Sequence, residues 1–114
     1  MNIKNTFAIA AAVVMGMAIS VPAMAASGDA EAGAKKAETC KACHGEAGAK
    51  PIQPDYPVLA GQHYDYLVSA LNQYKAGKRK NASMNGFAAA LKPEDIRDLA
   101  AYFAAQKSDL KTKY

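Results

Sequence analysis

An all-α domain is the fold class this sequence predicts, on three observations. Three stretches have helical composition or spacing, no run alternates apolar and polar residues long enough for a strand, and prolines and glycines gather between those stretches. No internal repeat is visible at periods of 20 to 50 residues.

The first segment stands apart from the domain. Lys4 precedes an apolar run from Phe7 to Ile19, followed by Pro22 and the small-residue triplet Ala23-Met24-Ala25. That order predicts a secretory signal peptide over residues 1–25 rather than a membrane anchor, because the strictly apolar core is shorter than the ~20 residues a spanning helix needs. Removing 25 of the 114 residues leaves 89, one small domain over 26–114. A chain of that size buries a modest share of its unfolded surface and commonly depends on a disulfide, metal or cofactor. Lys4 is the one charge lost, so the net charge goes from +4 to +3, too weak to indicate nucleic acid. Two cysteines in one motif also exclude a disulfide framework.

Within the domain, Asp29 to about His44 is rich in Ala, Glu and Lys and lacks proline, which predicts one helix with Ser27 or Asp29 as its cap. Gly45 to Gly61 holds three glycines and three prolines and reads as irregular loop. From about His63 to Lys75, Tyr64, Leu67, Leu71 and Tyr74 recur at helical intervals, and Gly77 offers a stop. Lys78 to Ala90 reads as loop with one short turn at most. The last helix starts at Pro93, with Glu94 and Asp95 in its first turn and Ile96, Leu99, Tyr102 and Phe103 as its apolar stripe. Asp109 to Tyr114 reads as a frayed tail.

The chemistry concentrates in Cys40-Lys41-Ala42-Cys43-His44. Three uses of C-x-x-C-H compete. Thiol redox chemistry calls for a neighbouring βαβ pattern, which is lacking here, and structural zinc calls for a fourth ligand, for which only His63 remains. Covalent attachment of one haem fits an exported, all-α chain: Cys40 and Cys43 would hold the porphyrin and His44 would ligate the iron. For the other face of the iron, processing leaves one methionine, Met84, flanked by Asn81, Ala82, Ser83, Asn85 and Gly86 with no apolar stripe for it to join. That setting favours Met84 as distal ligand over core filler. His63 is the rival, and would give a bis-histidine site.

The succession of N-terminal helix, CKACH, the Gly/Pro loop with Pro57-Val58-Leu59-Ala60-Gly61-Gln62, a tyrosine-bearing helix, a loop methionine and the C-terminal LAAYFAAQ resembles a class I cytochrome c. It is most similar to the small bacterial c553, c554 and c4 types, over essentially the whole mature chain. The c4 proteins carry two such domains, whereas this chain has one CxxCH and so resembles a monohaem version. The resemblance implies three to five helices packed around one covalently bound haem. It implies that the Pro57 carbonyl accepts a hydrogen bond from His44, that Leu59 packs on the haem, and that Gly33 and Tyr102 mark the crossing of the terminal helices. Arg79 or a nearby tyrosine would meet a haem propionate.

The function so expected is that of a periplasmic electron carrier cycling between Fe(II) and Fe(III) with His/Met ligation, not an enzyme. Alternatives are a haem subunit of a larger oxidoreductase, or a sensor or peroxidase with a displaceable sixth ligand. A monomer is expected, with no membrane span after processing and no nucleic acid. Its partners would be redox proteins, docking through Lys75, Lys78, Arg79 and Lys80.

Overall fold

The computed structural model describes residues 11–12, 16–18 and 27–110. The segment 1–25, expected to be a secretory signal, lies almost wholly outside them, as do the last four residues of the tail. Among the described residues there are five α-helices and no strand: α1 (Ala30–Lys36), α2 (Glu38–His44), α3 (Tyr64–Lys75), α4 (Ala82–Ala89) and α5 (Pro93–Ala104), with a 3-10 turn at Glu46–Gly48. No helix among them is long and apolar enough to cross a membrane.

Asp29 caps α1, its carboxylate accepting from the Glu31 and Ala32 amides. The single helix expected from Asp29 to His44 is broken at Ala37, a fully buried residue whose ψ of −5° departs from helical values and divides α1 from α2. Alanine is a strong helix former, so its own propensity does not mark the break. Helix α3 ends as its sequence suggests. Gly77, at φ 72°, lets the Gly77 and Lys78 amides return to the Tyr74 and Gln73 carbonyls at 3.2 and 2.9 Å. In α5 Pro93 is the first helical residue, and the Asp95 carboxylate accepts from the Lys92 amide at 2.8 Å.

A second correction concerns 78–90. The stretch read as loop contains α4, eight residues long and capped by Asn81, whose side chain accepts from the Met84 amide at 3.0 Å. Alanines spread around the helix blur its apolar face, so periodicity gave little sign of it. The asparagine cap was the available signal.

The core joins α1–α2, α3 and α5 through Ala37, Leu67, Leu99, Ala100 and Phe103. Burying Leu99 and Ile96 in full contributes about 2 kcal/mol each. Helices α1 and α5 cross with their backbones in contact at Gly33. A Cβ there would fall inside the Asp98 carbonyl oxygen's contact distance and 2.8 Å from Tyr102 Cβ, so the Gly33–Tyr102 pairing is realised.

Charges fasten the same crossing. Lys36 Nζ lies 2.7 Å from Asp95 and 2.6 Å from Asp98, and Asp98 also accepts from the Asp29 amide at 2.8 Å. The Lys36 ammonium, above all through its hydrogen bonds, holds both carboxyls below their usual range, and they in turn raise the lysine. With folded-state values depressed, the unfolded chain takes up protons first as pH falls through about 4. The carboxylate contribution is therefore present above that pH and lost below it. Thermal unfolding of the holoprotein is expected to move to lower temperature between pH 5 and 3, and Asp98→Asn is expected to flatten that slope. Solvent reaches the cluster and screens it, so the effect is modest.

Candidate functional site

A cleft opens between α2, the 45–63 loop, α3, α4 and α5, enclosing about 1450 Å³ of empty space with its mouth included. Residues from several helices and the intervening loop line it, and a concave, mostly apolar wall of that kind suits a bulky planar group. Its inner wall is apolar, with Leu59, Leu67, Leu71, Leu99 and Phe103.

One side of the cleft is α2. Cys40 and Cys43 lie three apart on one helical face and His44 ends the helix, so one short element brings all three to the cavity. Both thiols are free. Burial pushes the Cys40 thiol up, so it stays protonated rather than becoming a reactive thiolate. His44 is 6% exposed, and its Nδ1 lies 2.8 Å from the Pro57 carbonyl oxygen. A carbonyl only accepts, so Nδ1 carries the proton and Nε2 keeps its lone pair for a ligand.

The loop that supplies Pro57 is irregular in path but tied down. Ile52 and Leu59 amides donate to the Cys43 and Gly48 carbonyls at 3.1 and 2.9 Å, and the Gly61 amide to Phe103 at 2.9 Å. Gly48, at φ 69°, sits where a Cβ would strike Phe103 and Leu59 at 2.8 and 2.9 Å. Only glycine fits both the backbone angle and the space.

The opposite side is α4, where Met84, Phe87 and Ala88 line the cleft at helical spacing. Met84 therefore belongs to a helix rather than to the loop in which the sequence placed it. At the rim, Arg79 packs its guanidinium 5.0 Å from the Tyr74 ring centroid and 5.9 Å from that of Tyr66, and donates to the Tyr66 hydroxyl at 3.3 Å. The hydrogen bond to Tyr66 raises its affinity for its proton further.

All six residues predicted for the site, Cys40, Cys43, His44, Pro57, Leu59 and Met84, line this one cavity, as does Arg79. His63 does not: it is exposed at the start of α3 and absent from the cleft wall. Among the described residues no three His, Cys, Asp or Glu side chains gather to hold a bare metal ion, and His63, the fourth ligand zinc would call for, is away from the cleft. Sequence reasoning missed Asn81, Asn85 and Phe87. Asn81 and Phe87 were legible from capping and from the Met84 spacing, once α4 is drawn as a helix.

A sequence profile of the family described as Cytochrome c matches residues 30–107. The chain is 48% identical over 82 residues to cytochrome c4 of Pseudomonas aeruginosa, covering 72% of this chain and 40% of that one. It is 45% identical over 84 residues to cytochrome c-554(548) of Halomonas halodenitrificans, covering 71% of this chain and all of that one. The crystal structure of reduced cytochrome c4 from Pseudomonas stutzeri superposes with a TM-score of 0.68 at 40% identity, over 74% of this chain and 48% of that one. The thiosulfate dehydrogenase TsdBA of Marichromatium purpuratum superposes with a TM-score of 0.66 at 36% identity, over 70% of this chain and 20% of that one. The chain thus spans about half the length, or less, of the cytochrome c4 relatives it matches.

Proposed function

The chain belongs to the cytochrome c family, and from that premise we propose that it is an exported one-electron carrier in which His44 and Met84 would ligate the iron. Haem c, covalently bound, is the family's cofactor and this chain's, and when bound it supplies a one-electron couple between Fe(II) and Fe(III).

The observation that carries the reading is one cavity with the complete donor set: two free thiols, a buried imidazole with an available Nε2, and a thioether on the facing helix. Cys40 and Cys43 would hold the group through thioether bonds. The Pro57 carbonyl orients the His44 ring, fixing which nitrogen faces the cleft. The Met84 thioether, a softer donor than a second imidazole, favours the reduced state. The apolar wall keeps water from the centre and, by lowering the local dielectric, also favours the less charged form. Arg79 at the rim, already oriented by two tyrosines, would meet the carboxylates of the group. With His44 and Met84 both given to the iron, small oxidants would find no open coordination position, which disfavours a sensor or peroxidase. Oxidised and reduced absorption spectra of the exported protein and of Met84→Ala test the reading. A c-type reduced spectrum indifferent to the substitution would remove Met84 as ligand.

Docking to redox partners is proposed through the basic run before α4. Lys75 Nζ donates to the Leu91 carbonyl and Arg79 is engaged by the tyrosines, whereas Lys78 and Lys80 form no ion pair among the described residues. All four charges contribute to the long-range field, but only Lys78 and Lys80 have heads available for contact ion pairs. Association with the partner is expected to slow several-fold from low to physiological salt. Replacing Lys78 and Lys80 with Gln is expected to speed dissociation as well, whereas Lys75→Gln alters association alone. Stopped-flow rates independent of salt would remove steering from the account.

Likeness to one fifth of a thiosulfate dehydrogenase supports a second reading, that of an electron-transfer subunit within a larger oxidoreductase. Purification of the native protein, alone or with a second polypeptide, separates the two.

A further inference from the structure

Helix α4 carries Met84 and turns Met84, Phe87 and Ala88 to the cleft. Polar side chains hold its first turn. Asn85 Nδ2 donates to the carbonyls of Tyr74 and Arg79, both at 2.8 Å, and its Oδ1 accepts from the Asn81 amide at 3.0 Å. Asn81 Oδ1 in turn accepts from the Met84 amide at 3.0 Å. Carbonyls only accept and amides only donate, so the Asn85 side chain has one possible orientation, with both of its N–H groups used. Its bonds join the end of α3, the following turn and the start of α4. Those three segments supply Tyr74, Arg79 and Met84 to the cleft.

Resting on the reading that Met84 ligates the iron, we propose that Asn85 is a positioning residue that sets how readily Met84 gives way to a competing ligand. Asn85 makes no contact with the centre itself. It favours the arrangement in which α4 is docked with Met84 turned into the cleft, and a competitor must overcome whatever that preference amounts to. Loss of two amide donors to carbonyls is expected to shift the balance by about tenfold.

The test uses imidazole as competitor, titrated into the ferric holoprotein and followed by absorbance. Asn85→Asp and Asn85→Ala are expected to bind imidazole about tenfold more tightly than the parent. Ala89→Asp adds the same charge one turn away, at an exposed position outside the cleft wall, and is expected to stay within about twofold. Met84→Ala is expected to bind most tightly, and adding Asn85→Ala to it is expected to change nothing more, which a general loosening of the cleft would not produce.

The failures are distinguishable. If Met84→Ala leaves imidazole affinity at the parent value, ligation by Met84 is wrong and the proposal falls with it. If Met84→Ala tightens binding but neither Asn85 variant does, positioning alone is overturned. The same holds if Asn85→Ala keeps its full effect in the Met84→Ala background, or if neither variant yields folded holoprotein, since the role is then a structural one.

Discussion

Met84→Ala is expected to lower the midpoint potential by on the order of 100 mV or more, and to open the iron to carbon monoxide and imidazole. The size follows from what is exchanged. A neutral, soft thioether that favours the lower oxidation state gives way to water or hydroxide, which favours the higher one. His63, the rival donor, offers no easy replacement, because it is exposed at the start of α3 and absent from the cleft wall. Potentiometric titration of parent and variant measures the shift, and carbon monoxide binding to the reduced protein reports the open position. A variant that kept the parent potential and still excluded carbon monoxide would mean that another side chain supplies the sixth ligand.

Gly33→Ala is expected to destabilise the holoprotein by about 3 kcal/mol, although alanine is the better helix former by about 1 kcal/mol. The added methyl would overlap the Asp98 carbonyl oxygen, a backbone atom that cannot swing aside, and would press on Tyr102 Cβ. Helices α1 and α5 would have to separate, weakening Ala100 and Phe103 packing as well as the Lys36 ion pairs. For a domain of this size the unfolding temperature would fall by roughly 12–24 °C. Gly86→Ala is the matched control. It lies inside α4 with nothing within 4 Å of the added Cβ, so there propensity is expected to act alone and stabilise. Equal effects at the two glycines would deny that the crossing depends on close approach.

How much was legible in the sequence varies with the range over which the cause acts. Asp29, Pro93 and Gly77 act within one turn, and the helix ends they predict are present. CKACH carries its chemistry in residue type and spacing, so its placement on one face of α2 followed from the motif alone. Helix α4 was not legible by periodicity because its anchors are polar and distant: Asn85 bonds to carbonyls 6 and 11 positions away. The break at Ala37 was invisible for a related reason. Ala37 and its immediate neighbours Lys35, Lys36 and Glu38 all favour helix, so nothing adjacent marks the division. The choice of Met84 as ligand rested on a loop setting that the structure replaces with a helix, yet the residue still lines the cleft, since elimination among donor types did not depend on that setting.

The acceptor that fixes His44 belongs to the main chain of residue 57, not to its side chain. A scan that replaces side chains one at a time would retain that oxygen at every substitution and so would under-report the contact. What has to be inherited is the route of the loop rather than the identity of its proline, and that route is set at a distance, by Gly48 beneath Phe103 and by the Gly61 tie to α5. Exchange of the 57–58 amide for an ester, which weakens the carbonyl as an acceptor while leaving the side chains untouched, would expose the contact directly. Genetic variation could erode it only by moving the backbone.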